Sequence, residues 1–353
     1  MRVRLAKYRL GKTSIQTMRI KIMKLKDGQL TKKIVVTGTV MALVGGLSLS
    51  AIAEDSPIRL AMGDIASVES LNLLIAMERT EERGVEMEMT FFNSEDVATQ
   101  AVVGGQADIG VGGPYAFIEN SGAPIRMFYR ASTLMFFPVV NSDYYQSWSD
   151  LDGQEVTVHS RGSGTEALMR LMESVHDIEF SNLSYVPGSS VRAGAMLQGA
   201  VRASIVDSAA MRLLEEEGDG KFARLPVDGV DATDEALYGN VEFLENRQDD
   251  VVVFVEELLR TWGDIAENPA IVAQLREQYN LLPDLPADAV DDITQFYTES
   301  VNGGVFPIDG GQPSNVFDDL QFLAAAGQVD APGDDLIVTR YWDFGPLEAA
   351  RAR

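Results

Sequence analysis

The chain contains no cysteine. Disulfides, thiolate metal sites, cysteine nucleophiles and a lipid anchor on cysteine are thereby excluded. Histidine is nearly as scarce: His159 and His176 are the only two in 353 residues, with none of the spacing of a metal motif. Basic charge is short as well, 29 Lys and Arg against 53 Asp and Glu. Eleven of those bases and one acid (Asp27) precede residue 54, so residues 54–353 keep 18 bases and 52 acids, a net charge of −34. Such a surface repels nucleic acid and anionic lipid, and neither is expected as a partner. The acidic runs Glu215–Glu217 and Asp249–Asp250 read as solvated faces. No low-complexity tract interrupts the sequence. Its 46% hydrophobic and 23% charged residues are those of a folded chain long enough for two cores.

Long apolar runs are also missing, except at one place. Ile34 to Ser50 is uncharged, comes after the eleven bases and ends at Ala51-Ile52-Ala53, an A-x-A site. Residues 1–53 therefore read as a basic leader and signal peptide cleaved near Ala53, with export to a periplasm. A retained anchor is the alternative. Translation from Met18 or Met23 would give a leader of conventional length.

Beyond residue 53 the pattern alternates strand and helix. Ile58 to Met62 is a strand broken at Gly63-Asp64, and Ile65, Val68, Leu71 and Ile75 recur at helical spacing. Val85 to Phe92 is a second strand. Ser94 is placed to cap the next helix, with Glu95 and Asp96 in its first turn. Ala107 to Val111 is a third strand, closed by the turn Gly112-Gly113-Pro114. A similar unit returns at Leu183 to Val186, Gly188-Ser189-Ser190, and Ala203 to Val206 ending at Asp207. Gly105 to Val111 and Gly199 to Ile205 match in their glycine, small residues and final β-branched residue, which suits two βαβ modules. Arg126 to Val140, rich in Phe and Tyr, reads as strands crossing between the halves, and the return is expected near Phe222 to Val227. From Val251 the pattern is helical, and these helices are expected to pack on the first half.

The most informative stretch runs Val156-Thr157-Val158-His159-Ser160-Arg161-Gly162-Ser163-Gly164-Thr165. A strand enters a loop of glycine and hydroxyl residues, and a helix comes next. Free amides at the helix start, with the hydroxyls of Ser160, Ser163 and Thr165, form a cup suited to an anion. Plain capping, needing only Thr165, is the structural alternative. The loop is neither a Walker loop nor a dinucleotide fingerprint, since the required Lys and glycine spacing are missing.

These residues carry a resemblance. Val158 to Thr165 resembles the second-lobe loop of periplasmic substrate-binding proteins of the nitrate, sulfonate, taurine and thiamine-precursor group of ABC importers. Gly105-Gln106-Ala107-Asp108-Ile109-Gly110-Val111-Gly112-Gly113 is similar to that group's first-lobe strand, and Gly303 to Gly311 to a C-terminal stretch of some members. Arg202 departs from the pattern, standing where an acid is common. The resemblance implies an α/β, two-lobed type II periplasmic-binding-protein fold, each lobe a mixed sheet flanked by helices, with hinge crossovers. Residues 54–137 and 228–353 would form one lobe and 138–227 the other. Carried over by position, the ligand-facing residues would be Gly63, Asp64 and Ile65, then Gly112, Gly113 and Pro114. From the second lobe would come Ser160, Arg161, Gly162, Ser163, Gly164 and Thr165, then Ser189, Ser190 and Asp207. Ligands of open α/β sheets sit beyond the carboxyl ends of strands, in keeping with this set.

His159, Tyr115, Arg126 and Arg130 read equally as ligand partners or as packed and solvated side chains. Tyr144, Tyr145 and Trp148 are candidates for the cleft rim, and Phe128, Phe136 and Phe137 for the core. The expected function is capture of a small polar solute, an anionic sulfonate or carboxylate by the logic of the cup, and delivery to an ABC permease by a monomer. Asp64 and Asp207 leave an amine-bearing solute open. A sensor feeding a membrane signalling protein is the second reading. An enzyme is the third: a hydrolase at Ser163 lacks the G-x-S-x-G elbow, and the iron-dependent thiamine-pyrimidine chemistry of a fungal relative needs cysteines. No catalytic residue, metal or cofactor is expected.

Overall fold

Two βαβαβ runs, one early and one in mid-chain, generate the architecture. The computed structural model describes residues 9–10, 56–227, 229–333 and 336–353. The expected signal peptide and its Ala51-Ile52-Ala53 motif lie outside them, apart from Arg9–Leu10 (β1), which pairs in parallel with Thr90 and Phe91 at a sheet edge. The first run is β2 (Ile58–Met62), α1 (Leu71–Glu82), β3 (Met87–Phe91), α2 (Glu95–Val103) and β4 (Ile109–Gly112). α3 (Tyr115–Ser121) then leads to β5 (Ile125–Arg130), and β6 (Phe137–Asn141) begins a second sheet. The second run is β7 (Glu155–Val158), α4 (Gly164–His176), β8 (Asn182–Tyr185), α5 (Ser189–Leu197) and β9 (Ala203–Val206). α6 (Ser208–Glu217) and β10 (Phe222–Arg224) come next, and β11 (Ala236–Asn240) returns to the first sheet. Helices α7 (Val241–Asn246), α8 (Gln248–Glu267), α9 (Ile271–Tyr279), α10 (Ala287–Asn302), α11 (Pro313–Ala325) and α12 (Gly345–Arg351) complete the chain. Among the described residues no helix is long and apolar enough to cross a membrane.

The sheets run β1-β3-β2-β4-β11-β5 and β10-β6-β9-β7-β8. Both are mixed. β3, β2 and β4 are parallel, with β11 antiparallel beside β4; β8, β7 and β9 are parallel, with β6 antiparallel beside β9. The order β3-β2-β4-β11 is therefore repeated as β8-β7-β9-β6. The likeness of residues 105–111 to 199–205 reflects this repetition. Gly105 and Gly199 each end the second helix of their run, at φ of 70° and 73°. The strands after them, β4 and β9, are buried along their whole length, as helix-covered strands must be.

Sequence reading missed β11. Ala-Leu-Tyr-Gly-Asn has little intrinsic strand preference. Its conformation comes from pairing on both sides, with β4 and β5, and from Tyr238, whose ring lies over Gly110 and whose hydroxyl bonds Thr99 Oγ1 at 2.8 Å. Ser94 does stand at the N-cap of α2, but its hydroxyl donates to Asp96 Oδ1 at 2.6 Å and leaves the helix amides alone.

The chain passes between the sheets twice, and the two passages pair. Ala131 N donates to Glu235 O at 2.9 Å, Leu134 N to Ala232 O at 2.8 Å, and Asp234 N to Ser132 O at 3.0 Å. The return lies later than Phe222 to Val227: Phe222–Arg224 is still held to β6 in the second sheet, Leu225 N still donates to Pro138 O at 2.8 Å, and the paired part of the crossing is Ala232 to Glu235. As expected, the helices from Val251 share a core with β2, β3 and β4, with Val251, Val252, Val255, Leu258 and Trp262 of α8 facing it. α10 also reaches the other half, where Arg212 of α6 bonds Glu299 at 2.5 Å and pairs with Asp292. α11 packs on α4.

Asp319 of α11 ties three elements to the crossing. It is 2% exposed, its Oδ1 accepts Thr233 N at 2.7 Å and its Oδ2 accepts the hydroxyl of Tyr115 at 2.7 Å. Tyr115 in turn accepts Trp342 Nε1 at 2.7 Å, which places it in the core and away from any ligand. Asp319→Ala leaves two buried donors unmatched, and is expected to lower the unfolding free energy by roughly 2–4 kcal/mol. Urea titration of the variant checks this; an unchanged midpoint would refute the role given to Asp319.

Candidate functional site

The carboxyl ends of β2, β4, β7 and β9 converge on one enclosed cavity of about 90 Å³. That is room for several water-sized units, and so for a small solute. The paired crossing closes one side, through Ser132, Thr133, Asp234 and Glu235. Apolar surface from Trp262, Phe296, Val305, Phe306 and Phe136 closes another. The Gly303 to Gly311 stretch contributes Val305 and Phe306, held by Thr133 N donating to Val305 O at 2.8 Å.

The residues after β7 turn inward, but their polar groups are mostly spent on one another. Ser163 is the N-cap of α4: its Oγ accepts Glu166 N at 3.2 Å and donates to Ser160 O at 2.8 Å. The cap is thus Ser163, and Thr165 has a different task, accepting His159 N at 3.1 Å. Gly162 N donates to the carboxylate of Glu166 at 2.6 Å, and Tyr185 bonds the other oxygen of that carboxylate at 2.7 Å. The expected anion cup is accordingly filled from within: its hydroxyls are paired and one of its amides already holds a carboxylate.

His159 spans the gap between the halves. Its Nε2 lies 3.0 Å from Gly63 O, which only accepts, so this nitrogen carries the proton. Nδ1 is 3.8 Å from Asp64 Oδ2. Burial lowers the histidine pKa, against the pull of Asp64, and favours the neutral ring. Asp64 accepts Ile65 N at 2.6 Å, and Ile65 itself packs at Gly188. Gly63 and Gly112 flank Glu95: a Cβ on Gly112 would come within 2.6 Å of Glu95 Oε2. Their bareness admits the Glu95 carboxylate, which accepts Gly113 N at 3.2 Å. Pro114 sits behind, as N-cap of α3.

On the other half, Ser189 and Asp207 line the cavity. Ser189 Oγ accepts Arg192 Nη2 at 3.0 Å and Asp207 N at 3.2 Å. Asp207 caps α6 by accepting Ala210 N at 2.7 Å. Asp207 thus both caps α6 and lines the cavity. Of the other expected contacts, Gly164 abuts Asp234 and Leu134. Of the expected ligand-facing residues, Asp64, Ser163, Thr165, Ser189 and Asp207 line the cavity and the rest do not; Ser190 is exposed, and Arg161 is exposed over the Tyr185 ring at 5.2 Å. Trp148 is buried, stacked on His176 at 5.1 Å, and Tyr144 is exposed beneath Arg202. Arg126 bonds backbone oxygens of Thr339 and Ile125, and Arg130 pairs with Asp231; neither lines the cavity.

What the sequence reading missed is the charge. Among the described residues, Glu69, Glu95, Asp234 and Glu235 join Asp64 and Asp207 at the wall, six acids against the single arginine, Arg192. Arg192 is 1% exposed and turned to the protein: Nε donates to Ile205 O and Nη1 to Val186 O, each at 2.9 Å. Burial, then repulsion from neighbouring acids, drives Glu69, Glu95, Asp234 and Glu235 upward. Asp234 is raised to about 7 and Glu235 to about 8, while burial and the hydrogen-bonded Asp207 push Glu69 well above the carboxylate range. Glu69 and Asp207 thus face each other across the two halves, and their contact favours the protonated form of Glu69. Acids therefore dominate the titratable groups facing the space that the sequence reading gave to an anion. Among the described residues, no group of three His, Asp or Glu side chains is arranged to hold a metal ion.

Comparison with solved structures gives the same fold at low identity. A protein of Bordetella bronchiseptica RB50 superposes with a TM-score of 0.69 at 18% identity, over 85% of this chain and 98% of that one. The periplasmic nitrate-binding protein NrtA of Synechocystis PCC 6803 gives 0.62 at 15%, over 84% and 88%. The alkanesulfonate-binding protein SsuA of Xanthomonas axonopodis pv. citri, bound to MOPS, gives 0.59 at 17%, over 82% and 99%. A search of curated proteins finds no match. The family model described as NMT1/THI5-like matches residues 73–271. With that match spanning more than half of its length and two mixed sheets joined by paired crossings, the chain belongs to the NMT1/THI5-like family and has the periplasmic-binding-protein fold.

Proposed function

We propose that this protein is the solute-binding component of an ABC-type importer: exported to the periplasm by the leader cleaved near Ala53, it captures a small polar solute and presents it, as a monomer, to a membrane permease. The observation that carries this reading is the cavity of acidic and apolar side chains where the strand ends of both sheets meet beside a two-segment crossing. Hinged halves closing on a solute exclude water and strengthen each polar contact. The lobes would be 54–137 with 228–353, and 138–227, a division supported by which strands each sheet contains. The related structures named for nitrate and alkanesulfonate binding support a transport role in kind.

Binding is favoured over catalysis by how the histidines are used. His159 bonds Gly63 O, and His176 stacks on Trp148, so neither serves the Ser163 hydroxyl, which donates to Ser160 O. A serine nucleophile needs a base within hydrogen-bond reach.

Two outcomes test the reading. Thermal-shift screening of a broad library of anionic, neutral and cationic solutes should yield at least one saturable rise in melting temperature, accompanied by a change in tryptophan emission, because Trp262 lines the cavity. A library without any such solute would sink the proposal. Closure should also depend on Arg212, which pairs α6 with Asp292 and Glu299 of α10. A partly exposed pair of this kind contributes about 1 kcal/mol, so Arg212→Ala should weaken solute binding about fivefold by calorimetry. Scattering profiles of the unliganded variant should be more open; identical affinity and shape would remove Arg212 from the closing contacts.

A further inference from the structure

We propose that the solute of this cavity is a small organic cation, a molecule with at least one protonated nitrogen held among the carboxylates of Glu69, Glu95, Asp207, Asp234 and Glu235. The inference rests on the solute-binding reading and adds the charge class of the ligand.

Four observations carry it. The first is the division of labour among polar groups. Ser163, Thr165 and Ser189 are committed to local bonds, and Arg192 to Ile205 O, Val186 O and Ser189. Beyond small neutral groups such as Thr133 and Ser300, carboxylates are the charged groups that remain to face a ligand. The second is Glu235. It lines the cavity from the crossing segment, and among the described residues neither a hydrogen-bond donor nor a cation pairs with its carboxylate; its electrostatic neighbours are Asp234 and Asp64. Glu235 is half-buried and opens on the cavity, and a partly desolvated acid without a donor is stabilised by whatever supplies positive charge or a proton.

The third is the wall opposite. Trp262 Nε1 is bound to Ala131 O at 2.8 Å, and the ring meets Phe306 edge-on at 6.1 Å, so this side offers ring carbon. Aromatic faces attract cations, more strongly once desolvated. The fourth excludes the simplest rival. A bare metal ion needs several ligands at short range, and among the described residues no three His, Asp or Glu side chains converge that way.

The same crowding governs protons. Glu235 is faced by Asp234 on its own segment, Asp64 after β2, Glu69 before α1, Glu95 on α2, Asp207 at α6, His159 after β7 and Arg192 on α5. Repulsion within this set keeps protons in the unliganded cavity, with Asp234 raised to about 7 and Glu235 to about 8. An entering cation stabilises the ionised forms and expels those protons. Affinity therefore rises with pH, since less proton remains to be displaced.

The test uses matched probes. Benzamidine, benzamide and benzoate share a ring and differ in charge; putrescine, nitrate and methanesulfonate extend the comparison. Calorimetry on the purified protein should detect saturable binding of benzamidine or putrescine, with benzamide and the anions at least tenfold weaker. Cation affinity should rise on the order of tenfold from pH 6.5 to 8.5, with proton release seen as a dependence on buffer ionisation enthalpy. Glu235→Gln should weaken the cation about tenfold while raising the melting temperature of the unliganded protein at pH 8.5, a gain that misfolding cannot imitate. Preference for benzoate or nitrate, equal binding of benzamide, or no binding of either cation overturns the cation proposal. If another solute of the broad library still binds, the solute-binding reading survives that result; if nothing binds, both fall.

Discussion

The whole arrangement hangs on two strands of chain lying side by side between the sheets. The bonds from Ala131 to Glu235, Leu134 to Ala232 and Asp234 to Ser132 fix the crossing segments to each other. Two paired connections resist shear but permit bending, which is what a hinge requires. The same pairing sets the direction of Asp234 and Glu235, so the element that joins the halves also arms the space between them. Asp319, bonded to Thr233 and Tyr115, anchors that element to the helices behind it.

Within that frame, the chemistry is a problem of buried like charge. Six acids around one small space repel one another, and burial adds to the cost of ionising each. The molecule answers in part with protons, as in the Glu69–Asp207 contact, and in part with Arg192. Glu235, raised to about 8, is left with protonation alone, since among the described residues no donor or cation pairs with its carboxylate. A cavity poised in this way is stabilised by whatever brings positive charge to it, so strain in the empty state and selectivity in the filled state have a common origin.

The architecture was legible because it is written in local, repeated patterns. Strands before glycine turns, helices with periodic Val and Leu, and the matched segments at 105–111 and 199–205 each report short-range physics. β11 was hidden, because Ala236–Asn240 becomes a strand through its two neighbours. The site was half legible. Gly63, Asp64, Gly112, Ser163, Thr165, Ser189 and Asp207 sit at strand ends, where position alone marks them. Glu95 looked like an ordinary first-turn acid, and Asp234-Glu235 preceded an unrecognised strand. Their convergence depends on distant crossings, which no window of sequence contains. The hydroxyl-rich loop misled for a related reason: its donors are visible in sequence, whereas their prior engagement by Glu166 and by each other is visible only in three dimensions.

The doubled strand order has one more implication. Corresponding positions in the two sheets end in different residues: Gly63 and Asp64 after β2 against His159 and Ser160 after β7, Gly113 and Pro114 after β4 against Asp207 and Ser208 after β9. A scaffold used twice can be edited once. Each half keeps the geometry that aims its loops inward, while its tips drift independently in size and sign, so the pair can be retuned to a new guest by altering a few loop positions and leaving both cores untouched.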